Sequence, residues 1–240
     1  RHALKNKMIE TQPMMGMEQE YTLFQKGKPY GWRTDGVEME EQGKYYCGVG
    51  AGNTFGRELV LNHMKVCVNA GLLYEGFNAE VMPSQWEFQI GASDPITVSD
   101  HLWIARYFLL RLAEMEDITV SFEAKPLAGD WNGAGLHTNF STEKMRGEKG
   151  LDFIKKACED LKKTHTTNLK EYGTGTEERL TGAHETCSFK DFKWGVGDRT
   201  ASIRIPVMVA TEGKGYFEDR RPNANANPYR VATAISQSVL

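Results

Sequence analysis

Apolar and polar positions alternate with period two in several short segments and recur at helical spacing in longer ones. Residues 17–24 alternate as a strand. Residues 27–42 hold Gly27, Pro29, Gly31 and Gly36 and read as a turn-rich excursion. Asn53 is placed to cap a helix through Asn69, whose apolar positions include Phe55, Leu59, Met64 and Val66, with Gly71 just past its end. Residues 72–80 and 85–90 read as strands flanking Pro83. Residues 99–115 form a strongly apolar helix, expected to be buried on more than one side. Strands are predicted at 118–124, 135–141, 200–205 and 215–219. Helices are predicted at 151–169, with Leu151, Ile154, Cys158 and Leu161 on one face and lysines on the other, and at 228–240. The first 13 residues are polar and irregular up to Pro13, and read as a linker or the stub of something upstream. Strands fall in consecutive pairs between helices, without strict βαβ alternation. That predicts an α+β domain with a largely antiparallel sheet flanked by helices.

The polar side of these strands is unusual. Side chains at i and i+2 share a face of a strand. Glu18 and Glu20 therefore lie together, as do Gln85, Glu87 and Gln89. So do His137, Asn139 and Ser141; Thr200, Ser202 and Arg204; and Tyr216, Glu218 and Arg220. A solvated antiparallel sheet face normally carries Lys, Thr and Ser. This one carries Glu, Gln, His, Asn and Arg, and its crowded carboxylates repel unless something positive lies between them. Carboxylate oxygens with a single imidazole suit Mg²⁺ or Mn²⁺ better than Zn²⁺. Arg179, Arg199, Arg204, Arg220 and Arg221 gather late in the chain, and guanidinium forks match phosphate and carboxylate oxygens. Acidic metal ligands beside several arginines are what phosphoryl transfer needs. Arg204, flanked by isoleucines, requires a specific partner to be half-buried. Gly133 and Gly135 allow a ligand to approach the backbone.

Composition narrows the field. The chain has 240 residues, 40% hydrophobic and 25% charged, with a formal net charge of -3. Such a balance excludes whole-chain disorder and argues against a nucleic-acid binder driven by bulk charge. No apolar run reaches the roughly 18 residues that cross a bilayer, and no apolar h-region follows the N-terminal residues. Cys47, Cys67, Cys158 and Cys187 show no Cys-x-x-Cys spacing and read as reduced packing thiols in a cytosol-like compartment.

Six ordered segments carry a resemblance to a known family. They are Gly-Met-Glu-Gln-Glu-Tyr at 16–21, Asn-Ala-Glu-Val-Met-Pro-Ser-Gln-Trp-Glu-Phe-Gln at 78–89 and Asn-Gly-Ala-Gly-Leu-His-Thr-Asn-Phe-Ser at 132–141. Arg-Leu-Thr-Gly-Ala-His-Glu-Thr at 179–186, Ala-Ser-Ile-Arg-Ile-Pro at 201–206 and Gly-Tyr-Phe-Glu-Asp-Arg-Arg-Pro at 215–222 complete them. Together they closely resemble glutamine synthetase of the eukaryotic type (type II), from about Met14 to the C-terminus. The resemblance implies a curved, largely antiparallel sheet of the glutamine synthetase and guanidino kinase type over 14–240. Residues 1–13 would be a linker or stub of the family's N-terminal β-grasp domain. It implies a cytoplasmic, ATP-dependent glutamate–ammonia ligase working through a γ-glutamyl phosphate, with two or more Mg²⁺ or Mn²⁺ ions per site. Glu20, Glu80 and Glu87 would hold one metal; Glu18, His137 and Glu218 would hold the other, on the ATP phosphates. Arg199 and Arg204 would neutralise the transferring phosphoryl group, acting catalytically with Glu185 on a flap that excludes water. Arg179, Arg199, Arg220, Trp131, Asn132 and Gly133 would bind glutamate. Glu87, Asn139, Ser141, Tyr216, Arg199 and Arg204 would serve ATP.

The resemblance also implies a homo-oligomeric ring, a decamer of stacked pentamers, with sites at subunit boundaries, no nucleic-acid partner and no membrane. The isolated chain would then be poorly active. Three departures stand out. Met14 and Met15 occupy positions where the family often has Trp, Asp198 stands where Asn is usual before Arg199, and residues 187–195 differ from the usual flap continuation. Competing readings are a γ-glutamyl ligase using another amine, a non-catalytic homologue and, more distantly, a guanidino kinase. Retention of all six expected ligand positions speaks against the non-catalytic reading.

Overall fold

Strand β1 (Met14–Gln25) is the spine of the fold, with most of its apolar side chains on one face and its two glutamates on the other. Met15, Met17, Tyr21 and Leu23 are buried on the helix-covered face, while Glu18 and Glu20 take the other. The computed structural model describes residues 2–33, 39 and 44–240. The turn-rich excursion expected at 27–42 therefore lies partly outside the described residues, Gly36 among them.

The described chain begins with α1 (His2–Thr11) and continues from β1 into β2 (Lys28–Pro29), α2 (Arg57–Asn69), β3 (Tyr74–Ala79), β4 (Gln85–Ser93) and α3 (Pro95–Met115). Next come β5 (Thr119–Ser121), β6 (Leu136–Ser141), α4 (Glu143–Arg146), α5 (Gly150–Lys163), α6 (His165–Leu169) and α7 (Thr176–Arg179). The chain closes with β7 (Trp194–Val196), β8 (Ile203–Ile205), α8 (Val207–Glu212), β9 (Phe217–Asp219) and α9 (Pro228–Val239). Among the described residues the strands form one sheet in the order β3-β4-β1-β6-β9-β8-β7, with β2 and β5 added to β1. Among the described strands only β7 and β8 pair in parallel. Helices α2, α3, α5 and α9 cover one face, where Leu59, Leu102, Leu109, Ile154, Leu161 and Ile235 join the core. The α+β architecture expected from the strand pairs is the one observed.

Register delivers the polar face. Glu20 stands opposite Glu87 and Glu18 opposite Gln89 across β1 and β4. Glu18 stands opposite His137 across β1 and β6, Asn139 opposite Glu218, and Arg204 opposite Glu218. A shift of one residue in any pair would move these groups into the apolar core, so burial of the other face pins them.

Several expectations need correction. Residues 1–13 are not an irregular linker throughout: α1 runs up to Thr11, since nothing before Pro13 breaks a helix and Ala, Leu, Lys, Met and Glu favour one. Helix α2 starts at Arg57 after a left-handed Gly56; the Asn53 amide instead donates to the Val49 carbonyl, so Asn53 is no cap. Helix α3 starts earlier than expected because Asp94 accepts the Ile96 and Thr97 amides and Pro95 occupies the first turn. It buries one face only; Ile96, Trp103, Tyr107 and Leu110 are exposed, because α2, α9 and the sheet all lie on the other side. The helix expected over 151–169 divides at Thr164, whose hydroxyl competes for the carbonyls of Asp160 and Leu161. No sequence pattern marks β7, and β8 is shorter than residues 200–205. Cys67, Cys158 and Cys187 are buried free thiols, but Cys47 is exposed and does not pack.

A buried cation braces the back of the sheet. Arg106 of α3 donates from Nε to Gln19 Oε1 at 2.7 Å and from its terminal nitrogens to the carbonyls of Ala224 and Ala226. Gln19 lies between Glu18 and Glu20, so this contact ties the acidic stretch of β1 to the segment after β9.

Candidate active site

A cavity of about 90 Å³ opens over the centre of the sheet. Glu18, Glu20, Glu80, Glu87, His137 and Glu218 line it, as do Asn132, Gly133, Arg179, Glu185, Arg199, Arg204 and Arg220. Strands β1, β4, β6, β8 and β9 supply Glu18, Glu20, Glu87, His137, Arg204 and Glu218; Glu80 follows β3, and the 181–188 loop supplies Glu185. Trp131 does not line it. Its ring packs against Trp32, with centroids 4.9 Å apart. Asn139, Ser141 and Tyr216 lie instead in an adjoining cavity of about 550 Å³, walled by Met14, Met15, Met17 and Ile90. Glu18 borders both cavities.

Each carboxylate is held individually. Glu20 Oε2 accepts the Gly135 amide at 2.6 Å. Glu80 accepts Asn78 Nδ2 at 2.9 Å and the Val81 amide at 3.2 Å. Glu18 accepts Asn139 Nδ2 at 2.7 Å, and Glu87 accepts Gln89 Nε2. These bonds aim the carboxylates without neutralising them. Burial, with Glu20 next, pushes Glu80 up to about 8. Burial also raises Glu87 well above the usual carboxylate range, with Glu18, Glu80 and Glu20 adding to it. His137 is pushed down to about 4, first by burial and then by the Arg220 guanidinium. It is therefore neutral at ordinary pH, and its 3.5 Å approaches to Glu18 and Glu218 are not ion pairs.

Among the described residues, two groups have ligand atoms within 4.8 Å of one another: Glu18, Glu87 and His137, and Glu20, Glu80 and Glu87. Glu80 and Glu87, raised by burial and by neighbouring carboxylates, stand beside a neutral imidazole, a donor set that suits hard divalent cations. The second group coincides with the expected set. The first differs: Glu87 takes part in both, and Glu218 in neither. Glu218 pairs instead with Arg204 and, at 2.8 Å, with Arg220, whose guanidinium groups supply the positive charge. That pairing gives Arg204 the specific partner its half-burial demands.

The remaining groups favour an anion. Arg199 sits 3.7 Å from Glu185 and beneath the ring of Tyr46, 5.9 Å from its centroid. Arg220 Nε and Asn132 Oδ1 are buried polar atoms with no hydrogen-bond partner among the described residues, and both residues line the cavity. Arg179, also pushed down by burial, gives most of its donors to the carbonyls of Arg220, Arg221 and Pro222. His184 and Glu185 adopt consecutive left-handed conformations (φ 51° and 57°), a strained tip that non-glycine residues rarely take. Asp198 turns away from the cavity; it accepts the Thr200 amide at 2.8 Å and lies 3.3 Å from Lys193.

Sequence reasoning did not single out Tyr46, His184 or Thr186, which also line the cavity. Tyr46 lies outside any periodic segment, and only its place in the glycine-flanked Tyr-Tyr-Cys-Gly run marks it. His184 and Thr186 flank Glu185 within a quoted motif, where Glu185 alone drew the functional reading.

Residues 1–167 match the family model described as glutamine synthetase, catalytic domain. A glutamine synthetase of Agaricus bisporus is 51% identical over 96% of this chain. The glutamine synthetase nodule isozyme of Lupinus luteus is 50% identical over 97%, and the glutamine synthetase cytosolic isozyme 1-1 of Oryza sativa subsp. japonica is 49% identical over 95%. The chain spans about 65% of the length of these curated relatives. The cryo-electron microscopy structure of Plasmodium falciparum glutamine synthetase superimposes with a TM-score of 0.80 at 19% identity, over 99% of this chain and 53% of that one, and shares its fold. The fold, the family-model match and relatives at half identity agree: this chain belongs to the glutamine synthetase family.

Proposed function

We propose that the protein ligates ammonia to the side-chain carboxylate of L-glutamate at the expense of ATP, through a γ-glutamyl phosphate, giving L-glutamine. The observation that carries this reading is the convergence of acidic groups from separate strands beside Arg199, Arg204 and Arg220, next to a second, apolar-walled cavity. Glu20, Glu80 and Glu87 would hold one divalent ion, and Glu18, His137 and Glu87 the other, with Glu218 joining once released by its arginines. Mg²⁺ or Mn²⁺ would supply charge neutralisation at the transferring phosphate.

The chain's own groups do the rest. The nucleotide base lies in the larger cavity near Ser141 and Tyr216, with its phosphates directed past Asn139 and Glu18. Arg199 and Arg204 take up charge on the transferring phosphoryl group. Arg220 and Asn132, with the Gly133 backbone, receive the glutamate carboxylates, and Arg179 supports them. Glu185 at the tip of its loop shields the acyl phosphate from water, which would otherwise hydrolyse it. Residues 14–240 are the catalytic domain, and residues 1–13 lead into it from a β-grasp domain. The intact protein works in the cytoplasm as a homo-oligomeric ring with sites completed across subunits.

The test is an assay of the intact protein with ATP, glutamate and ammonium, supplied with Mg²⁺ or Mn²⁺. Phosphate release dependent on both glutamate and ammonium, matched by glutamine, supports the reading. No product with either metal would favour a binding protein that retains the fold.

A further inference from the structure

Beneath the candidate site, on the opposite face of β9, lies a network the reading above does not use. Asp219 and Arg221 flank Arg220 and point into the core. Arg221 donates from Nε to Asp219 Oδ1 at 2.8 Å and from a terminal nitrogen to Oδ2 at 2.7 Å, and Tyr172 Oη donates to Oδ2 at 2.7 Å. The guanidinium lies between the rings of Tyr172 and Phe192, 5.2 and 5.1 Å from their centroids. Its other terminal nitrogen reaches His165 Nδ1 at 3.1 Å.

That last contact settles the histidine's tautomer. An arginine only donates, so Nδ1 must accept, and the ring proton sits on Nε2. Nε2 lies 3.0 Å from the Phe189 carbonyl and donates to it. The Phe189 amide in turn donates to the Leu180 carbonyl at 2.8 Å, closing the base of the 181–188 loop. The other leg of that base is held from the same strand end, because Arg179 donates to the carbonyls of Arg220, Arg221 and Pro222. Both legs of the loop bearing Glu185 are thus referred to β9, which bears Glu218, and to the residues just past its end.

We propose that His165 is a positioning residue: locked in one tautomer by Arg221, it fixes the downstream leg of the 181–188 loop, and so Glu185, against β9. The functional consequence rests on the proposed ligase reading; the positioning itself does not. The ring edge of His165 against Phe192, 5.4 Å between centroids, adds packing that a variant can preserve while removing both hydrogen bonds.

His165→Phe keeps that aromatic packing, and His165→Gln restores a donor where Nε2 stands. Hydrogen–deuterium exchange on this chain is expected to show amides of 182–189 exchanging roughly tenfold faster in His165→Phe, with β1 and β6 unchanged, and protection largely regained in His165→Gln. Exchange within about twofold of wild type in the Phe variant, or a rise shared equally with β1 and β6, would overturn the proposal. In the intact protein, the Phe variant is expected to release phosphate without a matching yield of glutamine. A locally loosened loop with coupling intact would leave His165's role standing and remove Glu185 from the proposed chemistry.

Discussion

Glu20 and Gly135 exchange hydrogen bonds: the Glu20 amide donates to the Gly135 carbonyl at 3.1 Å, and the Gly135 amide donates to Glu20 Oε2 at 2.6 Å. The pair fixes a carboxylate of β1 to the glycine-rich approach to β6. It also leaves no room on Gly135, where a Cβ would come within 2.3 Å of the Arg179 guanidinium and 3.1 Å of the His137 ring.

Gly135→Ala therefore strikes the site more than the fold. Overpacking of this kind costs about 1–3 kcal/mol. The displaced Arg179 and His137 are expected to raise the glutamate KM roughly tenfold or more, since an ångström of misplacement is enough for such losses. Steady-state kinetics beside a denaturation curve separates the two effects. A variant that loses stability yet keeps its glutamate KM would show that Gly135 only packs.

Asp198 places a negative charge one residue from Arg199, but that charge is engaged elsewhere. Lys193 and the Thr200 amide and hydroxyl hold its carboxyl below the usual range, the Thr200 bonds contributing most. Asp198→Asn keeps the bond to the Thr200 amide and should leave ATP affinity within about twofold, as suits an exposed pair worth less than about 1 kcal/mol. A large gain in nucleotide affinity would mean that the aspartate does repel the phosphates.

His63 makes the chain sensitive to acid. Its Nε2–H donates to the Ala105 carbonyl at 2.9 Å, and its Nδ1 is buried without a partner among the described residues. Burial lowers it from 6.5 to about 4. As pH falls from 6.5 to 4 the unfolded chain protonates this ring while the folded chain does not. Stability falls across that window, by about 3 kcal/mol at its lower end. Denaturation at pH 7 and pH 5 should show a smaller loss in His63→Gln than in the wild type; equal losses would remove His63 from the acid response.

Much of this was legible in the residues. Strand alternation alone puts Glu18 and Glu20 on one face and Met17 on the other, and the register then brings Glu87, His137 and Glu218 beside them. Periodicity cannot say which carboxylate meets which cation. Glu87 contributes to both ligand groups, and Glu218 leans on Arg204 and Arg220, because cross-strand distances depend on how the sheet curves. Nor could it find Tyr46, which a loop delivers, or the Thr164 break, which turns on one hydroxyl. Polarity hides α1 from a periodicity reading, although its residues favour a helix.

The central claim is that the buried carboxylates and His137 trap divalent cations. Calorimetric titration of Mn²⁺ into the chain and into Glu87→Gln tests it most directly, because Glu87 alone belongs to both ligand groups. Wild type should bind Mn²⁺, and the variant, with its fold and melting temperature preserved, should bind it roughly tenfold or more weakly. Unchanged Mn²⁺ affinity in a folded Glu87→Gln chain would contradict the account.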